Sequence, residues 1–348
     1  MSPEPERALA RIDLGAIERN CARLPGRLCA VVKADGYGHG PVAEAALAGG
    51  ARWLAVATAE EAVSLRATAE GAPILVMGAL TPAELRTALD ARADVVAWTP
   101  ELAEAAPRVH VKLDTGMGRL GTKDRELALR LAARPGTVGV MTHFATADEP
   151  GDELFPAQLE AFTRFVEDLG RDDLVAHAAN SAATLRDPAA HFDLVRCGVA
   201  LYGMDPFHED PAAHGLEPAL SLHSWVAAVR RFEAGDSAGY GRRWTAREPT
   251  WVATVPIGYG DGWRRALTNN CDVLIRGRRH PLVGTVSMDN VTVALDQDTD
   301  VRVGDEVVLI GRQGDERILA EEVARRLGTI NYEVTCGLSP RVRREYVR

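Results

Sequence analysis

Eight short apolar runs alternate with helical patterns over the first two thirds of the chain, and this alternation constrains the fold most. Several runs are continuously apolar, as expected for parallel strands that are buried on both faces. The runs are 28–32, 53–58, 74–77, 94–98, 109–113, 138–142, 174–178 and 194–197. Eight strand-plus-helix units favour a (β/α)8 TIM-like barrel over an open doubly wound sheet.

The sequence pattern changes beyond about residue 220. Short β-like runs there are separated by Gly, Asp and Pro, with one helical pattern, AEEVARRLG. We therefore predict an α/β chain with an N-terminal barrel at 1–220 and a C-terminal mostly-β domain at 221–348. Residues 1–14 are expected to be able to pack with the β domain. A length of 348 residues suits one large and one smaller domain.

Composition excludes several classes of protein. The net charge of −9 and the lack of a basic run argue against a nucleic-acid partner. Five cysteines without a CxxC pair argue against zinc and disulfide scaffolds, and no metal site is predicted. A polar N-terminus and the lack of a long apolar run argue against a signal peptide and a membrane span. We expect a cytoplasmic protein.

Lysine is rare in this chain. It occurs only at Lys33, Lys112 and Lys123, so 37 of the 40 lysine and arginine residues are arginine. An amine can form a Schiff base or take up carbon dioxide, which a guanidinium does not do readily. Chance survival is the alternative explanation, and we interpret Lys123 as a surface residue.

Polar residues follow the predicted barrel strands at their carboxyl ends, where active sites of such barrels lie. In chain order they are Lys33, Lys112, Asp114, Arg119, His143, Asn180, Ser181 and Arg196. A purely structural role does not readily explain so many polar residues at one rim.

Lys33 directly follows a buried apolar run. Burial at a barrel mouth lowers the pKa of a lysine and favours the neutral, nucleophilic amine. The glycines at 36, 38 and 40 allow the backbone to approach a ligand, and Tyr37 can place a hydroxyl at a phosphate. We therefore predict that Lys33 holds pyridoxal phosphate as a Schiff base; a strand-end lysine that merely reaches water is the alternative.

The loops after strands seven and eight often bind phosphate in barrels. Here they carry Asn180 and Ser181, then Gly198 and Val199, which offer a hydroxyl and backbone N–H groups. Helix capping is the other expected role of Ser181. Arg196 interrupts the last apolar run, so it needs either a structural ion pair or a ligand such as the cofactor's pyridine nitrogen.

Nine motifs carry a resemblance to one family. AVVKADGYGHG, VKLDTGMGRLG, THFATADE, NSAATL and VRCGVALYG resemble successive signatures of the alanine racemases. SAGYGRRW, PIGYGDGW, GTVSMDNVTV and TINYEVTCGLSPRV continue the series. The match is colinear over nearly the whole chain. It implies an isomerase that interconverts L-alanine and D-alanine for peptidoglycan, works with pyridoxal phosphate and forms a homodimer with shared active sites.

The resemblance implies two bases on opposite faces of the substrate. Lys33 is the base on one face, and Tyr240 acts on the other face from the second domain of the partner subunit. One base removes the α-proton and the other returns a proton from the far side. Without the resemblance, Tyr240 would be interpreted as an aromatic residue in a glycine-rich turn.

The same resemblance assigns further roles. Arg196 meets the pyridine nitrogen, which then stays unprotonated because an arginine does not give up its proton. His143 lies near Tyr240 and Arg196 in a relay that lowers the tyrosine pKa; a buried structural histidine is the alternative. Arg119 binds the substrate carboxylate, and Lys112 becomes an N-carboxylate that pairs with Arg119.

The partner's second domain is also expected to shape the substrate site. The resemblance assigns a substrate contact to the backbone of Met288, and the entrance to Tyr259 and Asp289. One position departs from the family pattern, because Pro340 stands where a phosphate-binding tyrosine is frequent. The phosphate then depends on the four residues Tyr37, Ser181, Gly198 and Val199. Ser287 replaces a frequent cysteine, with little expected effect.

Three alternatives remain at this point. A serine racemase or a broader amino-acid racemase could share every motif. A non-catalytic barrel protein of pyridoxal phosphate homeostasis would lack residues 221–348 with Tyr240. A basic-amino-acid decarboxylase would place an acid, rather than Arg196, at the pyridine nitrogen.

Overall fold

The computed structural model describes residues 6–348, so residues 1–5 of the predicted N-terminal segment lie outside the described residues. The chain divides into two compact units. The first strand, β1 (Leu9–Asp13), belongs to the unit that carries the C-terminal part of the chain. The other unit contains residues 15–37 and 41–217.

The unit with residues 15–37 and 41–217 is the barrel, and it has eight parallel strands. They are β2 (Leu28–Val31), β3 (Trp53–Val56), β4 (Ile74–Val76), β5 (Asp94–Ala97), β6 (Val109–Lys112), β7 (Thr137–Met141), β8 (Val175–His177) and β9 (Val195–Cys197). Their order is β8-β7-β6-β5-β4-β3-β2-β9. Each predicted apolar run coincides with one strand to within two residues, so the predicted barrel is confirmed.

Backbone hydrogen bonds bring the two ends of this sheet together. The Asp193 N–H donates to the Ala176 carbonyl, and the Arg196 N–H donates to the Ala179 carbonyl, both at 3.0 Å. These bonds join the β8 and β9 segments and leave the barrel nearly closed. Every residue of β2, β3 and β4 is buried, which explains why these strands are continuously apolar.

Helices connect the barrel strands. They are α1 (Leu14–Arg23), α2 (Lys33–Tyr37), α3 (Ala43–Ala48), α4 (Ala59–Thr68), α5 (Pro82–Asp90), α6 (Pro100–Ala105), α7 (Arg125–Ala132), α8 (Leu154–Leu169) and α9 (Ser181–Arg186). Local sequence fixes several of their ends. Thr81 and Glu84 form a capping box at the start of α5, and Gly170 ends α8 in the left-handed conformation.

The other unit contains residues 6–14, 38–40 and 218–348 and is mostly β, as predicted. Its further strands are β10 (Leu220–Trp225), β11 (Ala228–Phe232), β12 (Ser237–Ala238), β13 (Trp244–Thr245), β14 (Thr250–Val255), β15 (Asp272–Ile275), β16 (Arg278–Val283), β17 (Val291–Leu295), β18 (Glu306–Gln313), β19 (Glu316–Ile318) and β20 (Arg343–Val347). Two helices, α10 (Ala320–Leu327) and α11 (Asn331–Cys336), complete it.

The main sheet of this unit follows the order β11-β14-β17-β16-β15-β18-β10-β1-β20, while β19 pairs with β18 and β12 pairs with β13. β1 lies antiparallel to β10 and parallel to β20. Burial alternates along β17, where Val291, Val293 and Leu295 are buried, as in an antiparallel strand with one face on a core. Among the described helices of both units, none has the length and hydropathy needed to cross a membrane.

Candidate active site

The residues directly after Lys33 form a turn with a left-handed backbone conformation. The next four residues, Ala34, Asp35, Gly36 and Tyr37, have φ values of 53°, 52°, 58° and 54°. Only one of them is a glycine, so the turn is strained for the other three. Such a conformation persists only where its surroundings hold it, and it directly follows the half-buried Lys33.

Glu61 of α4 holds the start of this turn. Its carboxylate accepts the Ala34 N–H at 2.6 Å and the Ala57 N–H at 2.8 Å. It also closes a capping box with Thr58 at the start of α4. Sequence reasoning missed Glu61, although the Thr-x-x-Glu spacing of a capping box was present.

Three residues predicted for the phosphate come together next to the turn. A Cβ at Gly198 would lie 2.2 Å from Tyr37 Oη, so the tyrosine hydroxyl lies against bare backbone. Ser181 Oγ accepts the N–H groups of Gly198 and Ala200 at 3.1 and 3.3 Å. Its own O–H can therefore donate to a ligand.

Asn180, rather than Ser181, caps α9. Its side chain accepts the Ala183 N–H at 2.9 Å, so the capping role expected of Ser181 is wrong. Val199 follows Gly198 and opens a short 3-10 segment at Val199–Tyr202, where it is buried. Both loops after the last two strands therefore contribute to this corner of the rim.

Arg196 is almost completely buried in β9. Its Nη2 donates to the Thr142 and Ala178 carbonyls at 2.9 and 3.0 Å and lies 3.2 Å from His143 Nδ1. Its Nη1 donates to His177 Nδ1 at 2.9 Å. No carboxylate of the described residues lies within ion-pair distance, so the alternative of a structural ion pair is wrong.

These contacts leave donors on Arg196 for a ligand. A guanidinium has five N–H groups, and the four described contacts involve only Nη1 and Nη2, so the Nε N–H and the second Nη1 N–H stay available. Burial lowers the pKa of Arg196 to about 10, which still leaves it fully charged at neutral pH. The site thus offers a buried cation with free donors.

His143 follows β7 and is half-buried at the rim. Burial, and then the charges of Arg196 and Lys112, hold the pKa of His143 well below its ordinary value. A neutral imidazole can accept the Arg196 N–H at Nδ1, which places its proton on Nε2. The predicted neighbourhood of His143 and Arg196 is therefore present.

Lys112 ends β6 and is buried. Burial, then Arg196 and Arg119, lower its pKa to about 8. Asp114 shapes the loop that follows, because its carboxylate accepts the N–H groups of Gly116 and Gly118 at 3.1 Å. Arg119 lies on that loop and is exposed.

The mostly-β unit carries the remaining predicted site residues. Three of its predicted site residues have large exposed side chains: Tyr240, Tyr259 and Met288, with 73%, 42% and 51% of their surface accessible. Thr285 Oγ1 donates to the Tyr240 carbonyl at 2.6 Å. The Tyr259 N–H donates to the Ser287 carbonyl at 3.0 Å, so the three exposed residues are tied together through residues 285–288.

An ion-pair network supports the same surface. Arg341 Nη2 donates to Asp289 Oδ1 at 2.6 Å, and Arg341 Nε lies 3.5 Å from Oδ1 of the buried Asp261. Asp261 Oδ2 accepts the Gly258 N–H at 2.9 Å, just before Tyr259. Pro340, next to Arg341, is exposed and offers no hydroxyl.

Two family models match almost the whole chain. They describe the alanine racemase N-terminal domain, at residues 12–206, and the alanine racemase C-terminal domain, at residues 219–346. The chain belongs to the alanine racemase family. It is 45% identical to the alanine racemase of Symbiobacterium thermophilum, over 97% of this chain and 96% of the relative. It is 42% identical to alanine racemase 1 of Bacillus subtilis, over 97% and 92%.

Solved structures of alanine racemases show the same fold. The crystal structure of the Enterococcus faecalis protein matches with a TM-score of 0.91 and 37% identity, over 98% of both chains. That of the Bartonella henselae protein, with covalently bound pyridoxal phosphate, matches with a TM-score of 0.89 and 30% identity, over 99% of this chain and all of the other.

Proposed function

We propose that this protein interconverts L-alanine and D-alanine with pyridoxal phosphate held at the barrel rim. The observation that carries this proposal is Arg196, a buried cation whose partners are carbonyls and imidazoles and which keeps donors for a ligand. A decarboxylase of this barrel type would be expected to place an acid there.

The residues at the rim fit the cofactor. The Lys33 amine would bind it covalently, and the Arg196 donors would meet its ring nitrogen. Tyr37, Ser181 and the backbone at Gly198 and Val199 would hold its phosphate. A side chain at Gly198 would fill the space beside Tyr37 Oη, which supports a backbone built for close approach.

Bound pyridoxal phosphate supplies the electron sink that makes the α-proton of alanine acidic. Arg196 remains charged and keeps its proton, so it does not protonate the ring nitrogen. This limits how far charge spreads into the ring and favours prompt return of a proton to the substrate.

Lys33 Nζ and Tyr240 Oη are the two proposed bases. In either direction one atom accepts the α-proton and the other donates a proton from the opposite face. His143 is neutral and accepts an Arg196 N–H at Nδ1. We propose that it stabilises the deprotonated form of Tyr240. Arg119 is proposed to bind the substrate carboxylate, beside a Lys112 that carries an N-carboxylate.

The active protein is proposed to be a homodimer with two shared sites. Tyr240, Tyr259 and Met288 are exposed and tied to one another, as expected for a surface that another chain covers. Met288 and Asp289 would then reach the substrate site of the partner. The barrel domain is proposed at 1–220, with residues 1–14 packing with the β domain at 221–348, in a protein of the cytoplasm.

A turnover assay tests the function. The purified protein, loaded with pyridoxal phosphate, should convert L-alanine to an equal mixture of enantiomers and L-serine more slowly. Lys33→Arg should abolish turnover, whereas Lys123→Arg, at an exposed lysine, should leave it unchanged. If the loaded protein formed no D-alanine, the proposal would be wrong; faster turnover of serine would identify a broader racemase.

A further inference from the structure

Five polar side chains, from Arg196 at one end to Arg108 at the other, form a row through the barrel. Arg196 Nη1 lies 2.9 Å from His177 Nδ1, and His177 Nε2 lies 2.8 Å from His110 Nδ1. His110 Nε2 lies 3.5 Å from Asp94 Oδ2, and Arg108 donates to both Asp94 oxygens at 2.7 and 3.1 Å. We call these five residues the polar file.

The polar file replaces the apolar filling that is usual for such barrels. His110 and His177 are completely buried, and Arg196 and Asp94 are 3% and 5% exposed. Buried polar groups are costly unless they are hydrogen-bonded. Gly139 of β7 makes room for the file, because a Cβ there would lie 2.3 Å from His110 Nδ1.

The chemistry of Arg196 gives the file a direction. A guanidinium can only donate, so His177 Nδ1 must accept. Burial and the charge of Arg196 hold the pKa of His177 well below its ordinary value, so this histidine is neutral and its proton lies on Nε2. That N–H donates to His110 Nδ1, and the His110 proton therefore lies on Nε2, facing Asp94.

The far end of the file carries a negative charge. Burial alone would raise the pKa of Asp94, but the nearby His110 ring and the hydrogen bonds from Arg108 outweigh burial and leave that pKa lowered. Asp94 opens β5, and Arg108 immediately precedes β6, so the file begins at the amino ends of the strands. It reaches Arg196 in β9 through two imidazoles of the same tautomer.

We propose that His110 and Asp94 are positioning residues that act through His177 to hold Arg196 as a fixed donor toward the cofactor ring. This inference rests on the proposed function. The carbonyls of Thr142 and Ala178 fix one edge of the guanidinium, and His177 fixes Nη1. The Asp94 carboxylate polarises both imidazoles and strengthens His177 Nδ1 as an acceptor.

Histidine tautomers test the polar file directly. The holoenzyme is labelled with ring-15N histidine, and the His110 and His177 signals are assigned with His110→Phe and His177→Phe. Both histidines should be neutral and carry their proton on Nε2. Asp94→Asn should shift the His177 signals, although Asp94 does not touch that residue. The inference would be overturned if either histidine carried its proton on Nδ1 or were an imidazolium. It would also be overturned if the His177 signals did not change in Asp94→Asn.

Kinetics test the role in positioning. Asp94→Asn and Gly139→Ala should lower kcat roughly five- to tenfold and leave KM for alanine within about twofold, because Arg196 is misplaced rather than removed. His280→Asn removes another buried histidine, in the mostly-β unit, and should leave kcat unchanged. Variants are compared below their unfolding temperatures. Unchanged kcat in Asp94→Asn and Gly139→Ala would overturn the positioning role.

The failure of the inference and that of the proposed function are distinguishable. Absence of alanine turnover in the wild-type holoenzyme would contradict the function and, with it, the positioning role. The histidine tautomers are measured without substrate, so they test the polar file whether or not the protein turns over alanine. Normal turnover with the opposite tautomers would contradict the file alone.

Discussion

Lys112 is a cation whose charge depends on pH within the ordinary working range. Its amine is buried and lies in the field of Arg196 and Arg119, which together lower its pKa from 10.5 to about 8. About a tenth of it is therefore neutral at pH 7, far more than for an exposed lysine. Only a neutral amine takes up carbon dioxide, so burial prepares Lys112 for the proposed N-carboxylation.

This pKa has a consequence for stability. Between pH 8 and 10.5 the unfolded chain binds the Lys112 proton more tightly than the folded chain does. Burying the charged amine therefore lowers the free energy of unfolding by its full amount below pH 8. This loss of stability disappears as the pH rises to 10.5. In buffer free of carbon dioxide, Lys112→Met should be more stable than the parent by about 1–3 kcal/mol at pH 7. Urea unfolding should show this difference shrinking by pH 10; a constant difference would contradict the account.

Gly198 is a second residue whose substitution should have a specific effect, here on the affinity for the cofactor. Gly198→Ala would place a methyl group 2.2 Å from Tyr37 Oη, so the tyrosine must move. We expect pyridoxal phosphate to bind about tenfold more weakly, because its phosphate loses the Tyr37 hydroxyl. Absorbance titration of the apoprotein measures this affinity. Gly71→Ala, at a glycine with open space around it, is the matched control and should have no effect.

At the scale of elements, the turn after Lys33 is the most unusual segment. Sequence reasoning predicted sharp turning from the glycines at 36, 38 and 40, but not that Ala34, Asp35 and Tyr37 would also be left-handed. Such strain comes from tertiary contacts, here the Glu61 bond to the Ala34 N–H, and local propensity does not encode it.

Glu61 provides the test of this element. Glu61→Ala should lower stability by about 1–3 kcal/mol and weaken cofactor binding, because the Ala34 and Ala57 N–H groups lose a charged acceptor. Glu60→Ala, on the exposed side of the same helix, should change neither. Denaturant unfolding and cofactor titration give both values. Equal effects of the two substitutions would contradict the role assigned to Glu61.

The strands were far more predictable than this turn. Parallel strands buried on both faces are mostly apolar, so all eight barrel strands are visible in the sequence as short apolar runs. His110 and His177 lie within two of these runs and look like ordinary core residues there. Their role depends on which side chains face one another across the barrel, and a single sequence does not show that.

At the scale of the whole molecule, the proposed site residues are divided between the two units. Lys33, His143 and Arg196 belong to the barrel, whereas Tyr240 and Met288 are exposed on the mostly-β unit. Their pairing was implied only by resemblance to the alanine racemases, because residues of different chains leave no spacing pattern in one sequence. The proposed two-base reaction therefore depends on the assembly of two chains.

A mixed dimer tests this central claim most directly. Lys33→Ala and Tyr240→Phe chains with different affinity tags are produced together, and the mixed pair is purified. If Tyr240 serves the partner's Lys33, one site of the pair is intact and the other lacks both bases. The account predicts inactive parent variants and about half of the wild-type rate of D-alanine formation per mixed dimer. A mixed dimer as inactive as its parents would contradict it.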